Sequence, residues 1–179
     1  MATWTSRGLR GSVLEEMINY TNQKYKEKKL ALIQKVPTPI TPVQFDKASR
    51  HITLAYFEKK STVDYIGAVQ GIPVCFDAKE CAADTFPLQN IHRHQVEFMG
   101  SYEEQGGVSF FLIYFSHRQE CYYLRYAELM RYWVRMEEGG QKNFKYGELD
   151  EQYFIPSGNG AAIHYLLAMQ KDLAERRKG

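Results

Sequence analysis

The stretch Thr62–Lys79, TVDYIGAVQGIPVCFDAK, decides the fold. Two short apolar runs, 62–69 and 72–79, flank Gln70-Gly71. That spacing is the signature of an antiparallel hairpin closed by a two-residue turn. With Val69 facing Ile72, Asp64 falls opposite Asp77 and Thr62 opposite Lys79. Side chains alternate along a strand, so these four share one face. Tyr65, Val69, Ile72, Val74 and Phe76 take the other face, which reads as core.

Two carboxylates placed directly across a hairpin have Cβ atoms about 5 Å apart and repel each other. A divalent cation removes the conflict. Mg²⁺ favours oxygen ligands, keeps several waters, and is commonly held by one or two carboxylates plus a substrate phosphate. Asp64 and Asp77 are therefore candidate metal ligands, with Thr62 beside them. The Lys79 ammonium is placed to orient a water or offset charge on a phosphate. The plainer reading is a surface Asp–Lys pair of little energetic worth. A register slip of one residue would part the group.

Upstream, Ser12-Val13-Leu14-Glu15 reads as a capping box that opens a helix. Leu14, Met17, Ile18, Thr21 and Tyr25 form its apolar stripe. Glu15 borders that stripe, where a side chain can still reach a site. A cationic end, Lys24 to Lys29, suits the negative terminus of the helix. A short strand, Leu30 to Lys35, follows. Residues 36–50, VPTPITPVQFDKASR, carry three prolines, which forbid a helix or a central strand. They read as a protruding arm or long ordered loop, returning through a strand at 52–57.

Downstream, Pro87 opens a helix expected from Leu88 to about Met99. GVSFFLIYF (107–115) reads as a central strand with ECYYLRY (120–126) as its partner. Ala127 to Glu138 reads as a helix, FIPSGNG (154–160) as a loop, and Ala161 to Arg177 as a last helix. Pro73 removes one donor from its strand and implies an edge or a bulge. The succession predicts an α/β fold, a mixed sheet with flanking helices. At 179 residues the chain fits one domain, 1–179, with the arm inserted at about 36–52.

The composition, 44% hydrophobic and 25% charged, argues against disorder. No apolar run approaches the roughly 20 residues of a membrane helix, and the start has no signal-peptide core. Cys75, Cys81 and Cys121 fit neither zinc spacing nor a disulfide framework and read as reduced packing residues. Residues 1–60 hold 11 Lys/Arg and 5 Asp/Glu, a net of +6; the remainder carries −4. A basic third beside an acidic remainder points to a polyanionic partner, although an ordinary solvated surface would read the same.

The run STVDYIG followed by FDAKE resembles the core of the PD-(D/E)xK nucleases. LEEMINYTN, QKVPTPI, AYFEKKSTVDYIG, FDAKE and FPLQNIHRHQVEFM together resemble the RecU family of Holliday-junction resolvases, also called penicillin-binding-protein-related factor A. The resemblance spans nearly the whole chain. It implies a restriction-endonuclease-like mixed sheet with a proline-rich stalk. It also implies a homodimeric, Mg²⁺-dependent endonuclease, with Mn²⁺ able to substitute, that resolves four-way DNA junctions by paired nicks. RecA recombinase is an implied partner, no membrane is, and the implied location is cytoplasmic at the nucleoid.

By matched position, Asp64, Asp77 and Lys79 are the implied catalytic residues, with Glu15 the helix acid, Thr62 the hydroxyl and Gln95 the glutamine after the hairpin. Lys35, Lys47 and Arg50 fall where the stalk carries basic residues. Asp77 departs from the glutamate most of the family carries there, and the stalk is a few residues shorter.

Four further features have competing readings. Gln95 sits inside the stripe Leu88, Ile91, Met99, Tyr102 and must find hydrogen-bond partners, in the site or in the core. His92 reads as packed at the core edge rather than as a metal ligand, and Arg93 and His94 as facing phosphate. Tyr122, Tyr123, Tyr126, Tyr132 and Trp133, interleaved with arginines, read as core before base stacking. Beside the resolvase stand a PD-(D/E)xK nuclease acting on another DNA and a non-catalytic branched-DNA-binding or RecA-modulating protein.

Overall fold

A computed structural model describes residues 12–57, 62–156 and 162–177. Ser12 Oγ accepts from the Glu15 amide at 3.2 Å and starts α1 (Val13–Glu27). Leu14, Ile18, Thr21, Asn22 and Tyr25 form its buried face, close to the expected stripe. β1 (Ala31–Lys35) follows, then β2 (Ile40–Asp46) and β3 (His51–Phe57), then the hairpin β4 (Tyr65–Val69) and β5 (Ile72–Cys81). A short β6 (Thr85–Pro87) leads through one 3₁₀ turn to α2 (Arg93–Glu104). β7 (Val108–Phe115), β8 (Glu120–Arg125), α3 (Tyr126–Glu137), β9 (Asn143–Lys145), β10 (Phe154–Ile155) and α4 (Tyr165–Arg176) complete the described chain.

Six strands form the central sheet, in the order β1-β4-β5-β7-β8-β10. Only β5 and β7 run parallel; every other neighbouring pair is antiparallel. A parallel neighbour needs a crossover, and α2 supplies it. α2 covers the face of β5 that carries Cys75 and Asp77: Cys75 Sγ meets Ser109 Oγ at 3.3 Å, and Ser109 Oγ donates to the Met99 carbonyl at 3.2 Å. α1 and α4 cover the opposite face. There Tyr165 packs on Phe76 and donates to Asn22 of α1 at 2.6 Å. The mixed sheet flanked by helices is as expected, but both faces of the hairpin are buried rather than one.

An aromatic ladder crosses four adjacent strands on the α1–α4 face. Tyr65 stacks on Phe76, Phe76 on Phe110, and Phe110 on Tyr123, with centroids 4.7, 4.7 and 4.3 Å apart. Each such pair contributes about 0.5–1.5 kcal/mol beyond simple area burial. This ladder fixes β5, which carries Asp77, and β4, which Asp64 immediately precedes.

Several sequence expectations need correction. The arm is no loop: β2 and β3 pair as a separate two-stranded ribbon. Pro42 is tolerated because the register shifts between Pro42 and Gln44, a bulge that removes the demand for a regular ladder. Pro73 sits in a central strand without any register shift toward β4. A two-residue turn makes 69/72 a hydrogen-bonded pair and 68/73 a non-bonded one, so β4 asks no donor of Pro73. Pairing with β7 begins only at Val74. The expected loop at 154–160 begins as β10, and its residues 157–160 lie outside the described residues. So does Ala161, the expected start of the last helix, which begins at Tyr165.

Gly67 of β4 pairs with Ile33 of β1, and a Cβ there would lie 2.0 Å from the Leu32 carbonyl oxygen. Gly67→Ala should therefore push β1 away from the hairpin and cost about 1–3 kcal/mol. Urea denaturation of the variant beside the wild type measures it.

Candidate active site

The hairpin turn takes a conformation that Gly71 favours and Gln70 tolerates. Gln70 and Gly71 both have positive φ, 48° and 85°, as a two-residue turn of this kind requires. The observed pairs run from Val69↔Ile72 to Tyr65↔Phe76, the register read from the sequence. Asp64 lies one residue before the ladder, in the bend that enters β4, with Thr62 half-buried two residues earlier. Asp64 Oδ2 accepts from the Ala78 amide at 3.1 Å, beside Asp77. The Asp64 carbonyl accepts from Val36 at 2.8 Å, which ties the start of the arm to the site.

Asp77 has no exposed surface. Gln95 Nε2 donates to its Oδ2 at 2.5 Å. Its Oδ1 lies 2.5 Å from Lys79 Nζ, a charge contact outside hydrogen-bond geometry, so this buried oxygen has no regular donor. Burial pushes the Asp77 carboxyl up to about 7; Lys79 opposes the shift and the Asp64 charge adds to it. The Lys79 side chain is 20% exposed and reaches from the carboxylate toward solvent.

Gln95 reaches Asp77 because the second helix starts later than expected. Leu88–Asn90 is a 3₁₀ turn, and α2 begins at Arg93 with His92 as its N-cap. Gln95 is then the third helical residue. Its Oε1 accepts from the His92 amide at 3.1 Å while its amide group serves Asp77. Both ends of the glutamine are thus used, one to cap the helix and one in the site. His92 is exposed rather than packed, since the residue capping a helix start lies outside its buried stripe. Its ring stacks on that of His94, with centroids 5.4 Å apart.

Glu15 lies at the edge of α1, its side chain 25% exposed, and forms an ion pair with Lys35 at the end of β1. Lys35 ↔ Tyr65 is the last pair of the β1–β4 ladder, so Lys35 sits beside the β4–β5 hairpin rather than out on the arm. Tyr65 in turn donates to Asn19 Oδ1 of α1 at 3.1 Å. Lys47 and Arg50 occupy the turn at the far end of the β2–β3 ribbon, exposed and away from this group. Arg93, at the start of α2, pairs with Glu137 of α3 at 2.6 Å. Tyr122, Tyr123, Tyr132 and Trp133 are buried, as the core reading expects. Cys75, Cys81 and Cys121 are buried and unpaired.

Sequence reasoning gave no role to Glu128 or Glu80. Glu128 is a buried carboxylate held by the Tyr122 and Tyr132 hydroxyls. Glu80 accepts from the Leu14 amide at 3.1 Å. The legible signal for Glu80 was alternation: it follows Lys79 and must face the opposite side of the sheet.

The residues present fit a hard divalent cation. The donors are carboxylate oxygens, and one of them is buried without a regular donor. Among the described residues, no group of three or more His, Cys, Asp or Glu side chains is placed to hold a metal ion. Two carboxylates suit an ion that keeps its waters and shares a substrate phosphate, not one caged wholly by protein.

A family model described as RecU, Recombination protein U, matches residues 9–171. The chain belongs to the RecU family. A RecU relative from Leuconostoc mesenteroides is 39% identical over 171 residues, covering 93% of this chain and 83% of its own. One from Levilactobacillus brevis is 38% identical, covering 97% and 89%. One from Geobacillus kaustophilus is 38% identical, covering 88% and 81%. All three bear the name Holliday junction resolvase RecU.

The raised Asp77 pKa has a stability consequence. The folded chain holds this proton up to about pH 7, whereas an unfolded aspartate releases it near 3.9. Stability contributed by this group therefore falls as pH rises from about 4 to about 7 and stays low above that. In chelator at pH 8, Asp77→Asn, which mimics the protonated carboxyl, should be more stable than wild type by about 1–4 kcal/mol, the upper end being the full rise of the carboxyl to about 7 converted to energy. The gap should close as the pH is lowered toward 4. Thermal denaturation across that range tests this; a variant no more stable at pH 8 overturns the assignment of a strained buried charge.

Proposed function

We propose that this RecU-family protein is a divalent-metal-dependent endonuclease that resolves Holliday junctions by paired symmetric nicks, with Mg²⁺ as its ion. The observation that carries the reading is the group on the β4–β5 hairpin. A buried Asp77, Asp64 beside it and a Lys79 leading outward stand at the positions matched to the family's nuclease residues. The names of the relatives support the substrate.

In this reading Asp64 and Asp77 would hold the ion, with Thr62 beside them and Glu15 behind. Bound there, a divalent cation activates water and polarises the scissile phosphate. Gln95 holds Asp77 Oδ2 and leaves Oδ1 directed at the site. The Ala78 amide fixes Asp64. Lys79 donates to a phosphate oxygen and offsets the charge that grows on it in the transition state. The shorter Asp77 in place of glutamate draws the site closer to the β5 backbone.

Lys47, Arg50, Lys35 and Arg93 serve the phosphate backbone, with the arm entering the open centre of the junction. Phosphate contacts of this kind position DNA without reading its sequence. A homodimer provides one site for each strand to be cut. The arm supports that assembly: Ile40, Val43, Phe45, Ile52, Leu54 and Tyr56 are all exposed on it, more apolar surface than a lone ribbon should leave in water. RecA remains the partner implied by the resemblance, with no surface assigned to it. No helix among the described residues is long and apolar enough to cross a membrane. A substrate of recombining DNA places the enzyme with the nucleoid in the cytoplasm.

Cleavage of an immobile four-way junction beside a linear duplex of matched sequence, with Mg²⁺ and with EDTA, tests the reading. Symmetric nicks in the junction alone, only with Mg²⁺, are expected. Cutting of both substrates would favour a nuclease for another DNA, and tight binding without cutting a non-catalytic protein.

Asp77→Ala and Lys79→Ala should each lower cleavage by about 10²–10³-fold while junction binding persists. Gel-shift and cleavage assays on one preparation separate the two effects. Lys47→Ala with Arg50→Ala should lower the slope of log affinity against log salt by about 2. An unchanged slope would show that the arm tip touches no phosphate.

A further inference from the structure

Asp77, Ala78, Lys79 and Glu80 are consecutive on β5, and alternation sends them to opposite faces of the sheet. Asp77 and Lys79 point to the α2 face, where the site lies. Glu80 points to the α1 face, and its Oε1 accepts from the Leu14 amide at 3.1 Å. That amide is one of the donors that a helix start leaves without an internal partner. Ser12 Oγ takes the next one, the Glu15 amide. A carboxylate at this end also complements the positive pole of a 15-residue helix.

Apart from the Glu15–Lys35 ion pair, the remaining side-chain ties of α1 to other elements lie further along it. Asn19 meets Tyr65, Thr21 meets the Ile163 amide, Asn22 meets Tyr165 and Tyr25 meets His164. They fix the middle and end of the helix. The backbone of the first turn, which carries Glu15, is tied to the sheet by Glu80, with buried Leu14 packed beneath, while the Glu15 side chain itself pairs with Lys35 of β1. The strand that presents the nuclease aspartate and lysine thus also sets where Glu15 stands.

We infer that Glu80 is a positioning residue: its carboxylate holds the first turn of α1, and through it Glu15, at a fixed distance from the catalytic face of β5. The inference rests on the nuclease reading of this hairpin and adds a residue to it. Glu80 touches neither the reacting group nor the ion; it acts through Glu15.

Two measurements test it. The first is amide hydrogen exchange on the full-length protein without metal. Glu80→Ala should speed exchange at Leu14 and Glu15 by about tenfold or more, with residues 19–25 unchanged. Glu80→Gln keeps an acceptor oxygen and should retain most of the protection. Unchanged exchange at Leu14 in Glu80→Ala would overturn the inference whether or not the protein cuts DNA.

The second is a double-mutant cycle in junction cleavage at saturating Mg²⁺. Glu80→Ala should lower the rate by about tenfold without changing junction affinity, Glu80→Gln should restore most of it, and Glu80→Ala added to Glu15→Ala should cost nothing more. Full additivity of the two losses would show that Glu80 does not act through Glu15. A wild type that cuts no junction would instead overturn the nuclease reading and leave the exchange measurement to decide the role of Glu80.

Discussion

The structure turns on a carboxylate held without water in the second strand of a hairpin. Asp77 is wholly buried, and burying an unpaired carboxylate costs several kcal/mol. The fold meets that cost with a glutamine from one helix and a lysine two residues along the same strand. Neither removes it, since the carboxyl still titrates near 7 rather than near 4. The charged form of Asp77 is therefore unfavourable alone, and the proposed cation would relieve it. A sheet sandwiched between α2 and the α1–α4 layer makes this possible, because an open sheet face would let water relax the charge.

Much of the site was legible because a two-residue turn leaves no freedom of register. Once Gln70-Gly71 is read as the turn, the pairs from 69/72 to 65/76 follow; the expected pairs 64/77 and 62/79 do not form, because β4 begins only at Tyr65, and Asp64 comes beside Asp77 through the Ala78 amide instead. The helix that carries Gln95 was harder. Pro87 is a common first helical residue, so placing the start there is reasonable. The chain instead makes a 3₁₀ turn and an extended His92 before α2 begins, a detour no periodicity marks. The stripe still put Gln95 inward, because its spacing to Met99 survives the shift. What periodicity could not give was the use of both ends of that side chain.

The arm was legible as a projection, but its strand pairing was not. The prolines exclude a helix and a strand in the interior of a sheet, and they say nothing against an isolated ribbon. An isolated ribbon has two outer edges, and a bulge at Pro42 absorbs the irregularity. Charge segregation was legible only in part. Lys35 belongs to the basic third, yet in the structure it neutralises Glu15. Lys24 likewise pairs within its own helix with Glu27, at 2.9 Å. The exposed cations at the arm tip, Lys47 and Arg50, carry the clearer sense of a polyanion-facing surface.

Arm and core obey opposite rules, and the contrast bears on assembly. In the core, aromatic rings stack across four strands and are buried, and the exposed large apolar residues outside the arm are scattered over several elements. In the arm, six large apolar residues are exposed on a ribbon of two strands. A two-stranded hairpin alone is marginal in water. A partner that covered those residues would stabilise it, and in the proposed homodimer a second copy of the same ribbon offers matching apolar surface. Pairing two arms would set two basic tips side by side and turn two nuclease sites about one axis. The Asp64 carbonyl bonds to Val36 at the root of the arm, so the position of the arm and the position of the site are not independent. Whatever the arm grips, the first aspartate of the site is attached to it.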